Sequence, residues 1–280
     1  MTDSSENSRK SDAIAMCDRA APTYGQVGTK QFTHWGKLLI ERLNIPAGAR
    51  VLDMAAGRGA LMFAAADRVG AGGQVIGFDL AAGMVRETQA EIARRGLINV
   101  EMRLGDAETI TFEPESFDFI VCGFALFFTD YETVLPRVRS WLKPGGWFAA
   151  SAPVIPNTDE LARWQWLFDL TKAVFPPDFT PPAAWTAPRR LRSPEAFETA
   201  LTDAGLINVR TETHTATLYF ADADDWWAWE WSQGSRFWLE GMSAEGLARF
   251  KRESYENLAK MQTDKGIPIG DGALMGFGQR

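Results

Sequence analysis

Two rhythms of apolar positions alternate between residues 46 and 155. Short, nearly continuous apolar runs at Val51–Asp53, Gln74–Leu80, Asn99–Leu104 and Ser116–Phe124 read as strands. The last is so uniformly apolar that both its faces must be covered. Segments 60–69, 82–95 and 131–141 read as helices, and Leu142-Lys143-Pro144-Gly145-Gly146 turns into a fifth strand. Strand and helix alternating over short connections predict a parallel sheet with helices on its faces.

The flanks read differently. Residues 1–12 are polar and predict a mobile tail, 13–19 a short helix, and 32–43 a helix with Phe32, Trp35, Leu38, Leu39 and Leu43 at helical spacing. Beyond Val154, residues 157–175 predict a helix with Leu161, Trp164, Leu167, Phe168 and Leu170 on one face. Phe175 to Pro182 is too proline-rich for a helix or a central strand. Ser193-Pro194-Glu195 starts a capped helix that Gly205 stops. Residues 208–220 and 272–279 read as a sixth and a seventh strand. Between them, 225–239 predicts one helix with Trp227, Trp231, Gly234 and Trp238 on a shared face. Leu247, Phe250, Leu258 and Met261 mark another.

Chemistry concentrates at Asp53-Met54-Ala55-Ala56-Gly57-Arg58-Gly59, where a strand ends in an acid and small residues open a helix. Backbone N–H groups can approach a ligand closely there, and the helix start adds partial positive charge. A dinucleotide-binding turn would need a third glycine where Met62 stands, and Asp53 would repel a pyrophosphate. An acid at that place suits a ligand with an amino group and a sulfonium. Asp79, twenty residues after Gly59, ends the second strand where an acid can accept both ribose hydroxyls.

These residues resemble the D-x-G-x-G-x-G turn and the following strand ends of class I S-adenosylmethionine-dependent methyltransferases, with Ala55 in place of the first glycine. Ala20-Ala21-Pro22-Thr23-Tyr24-Gly25 is similar to the entry segment of the branch that includes ubiquinone- and menaquinone-biosynthesis enzymes. The resemblance implies an α/β, Rossmann-like seven-stranded sheet, mostly parallel with the last strand antiparallel, helices on both faces and a helical cap. It implies S-adenosylmethionine as cofactor, with S-adenosylhomocysteine as product. It assigns Asp53, Ala55, Gly57, Arg58 and Gly59 to the methionine part, Asp79 and Leu80 to the ribose, and Met84, Gly105, Asp106 and Ala107 to the adenine. Cys122 and Gly123 fall to the amino group, and Tyr24 becomes a candidate lid residue.

The domain reading that follows is a tail (1–12), N-terminal lid helices (13–45), a cofactor-binding core (46–155) and a cap segment (156–192). A core helix and strand (193–220), a Trp-rich helical cap insertion (221–270) over the carboxyl end of the sheet, and a final strand (271–280) complete it.

Composition narrows the function. A 46% hydrophobic fraction supports a sizeable core, and a net charge of −7 argues against a nucleic-acid partner. Cys17 and Cys122 form neither a disulfide framework nor a metal cluster. The longest apolar run, Phe119 to Phe128, is too short for a bilayer, and no signal-peptide core is visible, so a cytoplasmic location is expected. A homo-oligomer is compatible with the sequence.

Methyl transfer is an in-line displacement, which mainly asks a protein to position the reactants and exclude water. The histidines are His34 and His214, of which His34 lies near the entry segment and is the candidate base beside Tyr24. Of 11 tryptophans, only Trp35, Trp141 and Trp147 precede residue 160. Aromatic faces stack with flat rings and attract cations, so Phe128, Trp185, Trp227, Trp231 and Trp238 are candidate substrate contacts. The bland reading makes the Trp226–Trp238 run the core of a small cap. Arg189, Arg190 and Arg192 suit either an anionic substrate or a solvated surface. The expected activity is methyl transfer to the carbon, nitrogen or oxygen of a small aromatic or apolar molecule, in specialised metabolism. Its rivals are ring C-methylation of a quinone, a non-catalytic cofactor-binding scaffold or sensor, and a nicotinamide-dependent reductase.

Overall fold

A computed structural model of the protein describes residues 3–154, 157–175 and 191–280. Its seven strands are β1 (Arg50–Met54), β2 (Gln74–Asp79), β3 (Val100–Leu104), β4 (Phe117–Gly123), β5 (Leu142–Pro153), β6 (Ile207–Phe220) and β7 (Ile267–Gln279). They form one sheet in the order β3-β2-β1-β4-β5-β7-β6. The first five pair in parallel, and β7 runs antiparallel to β5. This is the expected α/β architecture.

The chain divides into two compact units. One comprises Phe32–Val154, Pro188–His214 and Gly272–Arg280. It holds α2 (Gln31–Arg42), α3 (Ala60–Val69), α4 (Ala82–Arg95), α5 (Tyr131–Trp141) and α8 (Pro194–Asp203). Apolar stripes dictate which helix faces turn inward: Leu61, Met62, Ala65 and Val69 on α3, Val134, Leu135, Val138 and Trp141 on α5, Phe197 and Leu201 on α8. Those of α5 and α8 join Leu52, Ile76, Phe78, Ile120 and Phe148 of the strands in one core cluster. Each large side chain so buried contributes about 1.5–3 kcal/mol.

Helix α3 comes closest to the sheet at two strand glycines. A side chain on Gly77 of β2 would overlap Met62, and one on Gly123 of β4 would overlap Leu61. In a dinucleotide turn the packing glycine lies on the helix. Here the small residues lie on the strands, and Met62, fully buried, fills the space.

The other unit comprises Met1–Gln31, Ile155–Ala187 and Thr215–Asp271. Its helices are α1 (Asp3–Ala20), α6 (Thr158–Arg163), α7 (Gln165–Val174), α9 (Ala223–Trp231), α10 (Arg236–Gly241) and α11 (Ala244–Met261). Trp164, Leu170, Val174, Phe220, Trp226, Leu239, Phe250 and Leu258 form its core. Trp226 is 1% exposed, with ring centroids 6.5 Å from Trp166 and 6.3 Å from Phe250. No described helix is long and apolar enough to cross a membrane.

Four sequence expectations need correction. Helix α1 begins at Asp3 where a tail over 1–12 was expected, and Arg19 in its last turn suits the helix dipole. The N-terminal lid over 13–45 is divided, because α2 belongs with the sheet. There it buries Trp35, Leu39 and Ile40, and Gly36 lets it approach the backbone of Ala60. The single helix over 225–239 is two, because the Ser232 hydroxyl donates to the Trp229 carbonyl and the Ser235 hydroxyl to that of Glu230. The helix over 157–175 breaks at Trp164, whose indole N–H donates to Glu160 at 2.9 Å. The proline-rich loop past Phe175, Trp185, Arg189 and Arg190 lie outside the described residues.

If the Met62–Gly77 approach sets the helix–sheet spacing, Gly77→Ala should cost about 1–3 kcal/mol by overpacking. Combined with Met62→Ala, the two losses should fall short of their sum, measured by urea unfolding. Additive losses would show that the two residues do not share one space.

Candidate functional site

Parallel strands bring their carboxyl ends to one rim of the sheet unit, and the acids picked from the sequence gather there. Asp53 pairs in register with Gly77 of β2 and Val121 of β4, and Asp79 with Leu104 of β3. After β3, Gly105 donates its N–H to the Asp79 carbonyl at 2.9 Å, which seats Asp106 on the same rim.

Asp53 is fully buried, and neither carboxylate oxygen has a hydrogen-bond partner. Burial holds its carboxyl well above the usual range. The Met62 amide, near but not in hydrogen-bond geometry, lowers it somewhat, and the charge of Asp79 raises it further. The Cys122 thiol is pushed up to about 12, by burial first and then by the charge of Asp53. It is an inert packed group.

The turn after β1 is left-handed at Ala55 (φ 52°), Gly57 (φ 52°) and Gly59 (φ 77°). Ala55 therefore adopts the backbone that favours a glycine, a strain of about 1–2 kcal/mol for a residue with a Cβ. Gly57 donates its N–H to Asp79 Oδ2 at 2.8 Å, and Ala81 to Oδ1 at 2.9 Å. Thr88, fully buried on α4, donates its hydroxyl to the Gly57 carbonyl at 2.8 Å. The turn is thus braced from β2 and from α4. Helix α3 begins with no side-chain cap, so its first amides are left to a ligand or water.

The remaining candidates divide. Met84 is 2% exposed and Ala107 is 7% exposed, the latter packed in the core cluster with Phe78 and Cys122. Asp106 Oδ1 accepts the Glu108 N–H at 2.9 Å. Leu80 is half-buried just past Asp79. Arg58 faces the acids Glu87 and Glu91 of α4, which offset the lowering that burial imposes on its guanidinium. His34 is exposed on α2, edge-on to Trp35 at 4.6 Å, so nothing encloses it. Phe128 is 57% exposed beside Phe127. His214 lies 3.0 Å from Glu212 along β6.

In the helical unit, Tyr24 sits in the turn after α1. Trp227 and Trp231 meet edge-to-face at 6.1 Å, with Lys251 over the first ring and Arg236 over the second. Trp238, on α10, meets Phe175 edge-on. Sequence reasoning missed Glu230, 6% exposed on α9, whose carboxyl is pushed up to about 7 by burial, against a lowering by the Ser235 hydroxyl. An acid inside a run of tryptophans was the available signal. It also missed Thr88, a polar residue on the buried face of α4.

A family profile described as a methyltransferase domain matches residues 45–179. The chain is 34% identical over 251 residues to the nocamycin O-methyltransferase of Saccharothrix syringae, covering 86% of this chain and 89% of that protein. This chain belongs to the S-adenosylmethionine-dependent methyltransferases. The demethylmenaquinone methyltransferase of Geobacillus stearothermophilus is 33% identical over 121 residues, 43% of this chain and 52% of that enzyme. The YcgJ protein of Bacillus subtilis shares the fold, with a TM-score of 0.55 at 20% identity over 88% of this chain and 98% of its own.

The methyltransferase's rim fits S-adenosylmethionine on its own chemistry. A sealed, unpartnered carboxylate matches a cationic ligand, and an uncapped helix start matches the ligand's carboxylate. Among the described residues no group of three or more His, Cys, Asp or Glu could hold a metal ion.

Two measurements check this geometry. Ala55→Gly should stabilise the protein by about 0.5–1 kcal/mol, the released strain less the added freedom of the unfolded chain. A lower denaturation midpoint would contradict a strained turn. Asp53→Asn should stabilise the ligand-free enzyme at neutral pH. Above the ordinary carboxylate pKa of about 4 the unfolded chain releases this proton while the folded chain keeps it. Wild-type stability therefore declines as pH rises through that window, and the advantage of Asp53→Asn should grow with it. A pH-independent difference would contradict the elevated carboxyl.

Proposed function

We propose that this methyltransferase transfers the methyl group to an oxygen of a small, largely apolar or aromatic acceptor in specialised metabolism. The likeness to an O-methyltransferase that extends over 86% of the chain carries this reading. The menaquinone-type likeness stops at 43%. The tryptophan-rich helical unit supports a flat, apolar acceptor.

When bound, S-adenosylmethionine supplies a methyl group on a sulfonium, whose departure as a neutral thioether needs no acid. The chain's part is to hold, orient and exclude water. Asp53 stabilises the cationic methionine end from beneath the turn of Ala55, Gly57 and Gly59, with the backbone of Cys122 and Gly123 receiving the amino group. Asp79 keeps lone pairs for the ribose hydroxyls while bonded to Gly57 and Ala81. Asp106 and the Ala107 amide read the adenine, with Met84 against its face.

Reaction of S-adenosylmethionine carrying a 13C-methyl group with a panel of hydroxylated aromatic acceptors and quinones checks the reading by NMR. The expected product carbon is a methoxy; a ring-bound methyl would favour quinone-type C-methylation, and binding without turnover a scaffold.

A further inference from the structure

Phe124, the first residue past β4, has φ 54°. A bulky aromatic rarely adopts the left-handed region, whereas a glycine does so without strain. Such strain persists only where surrounding structure imposes it, and it clusters at functional sites. The Phe124 N–H is held by Ser151 of β5, donating to its carbonyl at 3.1 Å and lying 3.2 Å from its hydroxyl. Ser151 is 2% exposed, so this anchor does not move with solvent. The ring of Phe124 meets Phe32 edge-on, with centroids 5.8 Å apart at 70°. Phe32 is carried on α2, which Gly36 presses against Ala60 at the start of α3. An aromatic pair is thus fixed from two sides on the rim that carries Asp53, whose register partner Val121 lies three residues before Phe124.

We propose that Phe124, backed by Phe32, is the aromatic wall that meets the sulfonium and its methyl group, and so discriminates the charged donor from its neutral thioether product. An aromatic face attracts a cation through its quadrupole and offers nothing comparable to a thioether. Ser151 is a positioning residue in this scheme. The inference rests on the assignment of the Asp53 rim to the methionine end of the cofactor.

Isothermal titration of S-adenosylmethionine and S-adenosylhomocysteine into the full-length protein tests it, using Phe124→Leu, Phe124→Tyr and Phe124→Gly. Phe124→Leu should weaken S-adenosylmethionine roughly three- to tenfold while S-adenosylhomocysteine changes by less than about twofold. Phe124→Tyr, which keeps the ring, should retain the wild-type ratio. Phe124→Gly, which suits the left-handed backbone but removes the ring, should lose the discrimination. Equal weakening of both ligands by Phe124→Leu, or no change in either, would overturn the proposal. Failure of the wild type to bind S-adenosylhomocysteine would instead defeat the rim assignment, and this inference with it.

Discussion

A carboxylate sealed inside the sheet with nothing to bond is the constraint on which the rest of the site depends. Asp53 has no exposure and no hydrogen-bond partner, although it lies next to the end of a strand in the middle of the sheet. A buried, unpartnered acid is unfavourable, so it keeps its proton or waits for a cation. The surrounding structure sustains that tension. Helix α3 lies close over β1 because Gly77 and Gly123 make room for Met62 and Leu61. That closeness brings the Met62 amide toward Asp53 and shuts out water.

The same rim stores strain in its backbone. Ala55 and Phe124 both adopt left-handed conformations, one at the end of β1 and one at the end of β4. Each is fixed from neighbouring elements: the turn of Ala55 through Asp79 and Thr88, Phe124 through Ser151. Braced strain of this kind holds a ligand site in shape before the ligand arrives, which is what a displacement at a sulfonium methyl asks of a protein.

Much of this was legible in the sequence, for identifiable reasons. Segments 60–69, 82–95 and 131–141 are helices with those bounds because Gly59, Gly70 and Gly96 punctuate the pattern and strands flank it. Asp53, Asp79 and Asp106 could be picked out because each ends or follows a short apolar run. What periodicity could not show was decided by single hydrogen bonds and by tertiary contacts. The helix-like pattern over 225–239 continues through the place where Ser232 and Ser235 take the last carbonyls. Arg58 sits in the turn, yet Glu87 and Glu91 on α4 decide where its charge is satisfied. Nothing in the residue name Phe124 announces its backbone, and Glu230 reads as one more surface acid until folding buries it.

Calorimetry in buffers of different ionisation enthalpy tests the central claim most directly, because it counts the protons exchanged when the cofactor binds. If Asp53 retains its proton until a cation arrives, binding of S-adenosylmethionine at neutral pH should release more protons from the wild type than from Asp53→Asn, with a weaker affinity in the variant. Identical proton counts at unchanged affinity would contradict the account.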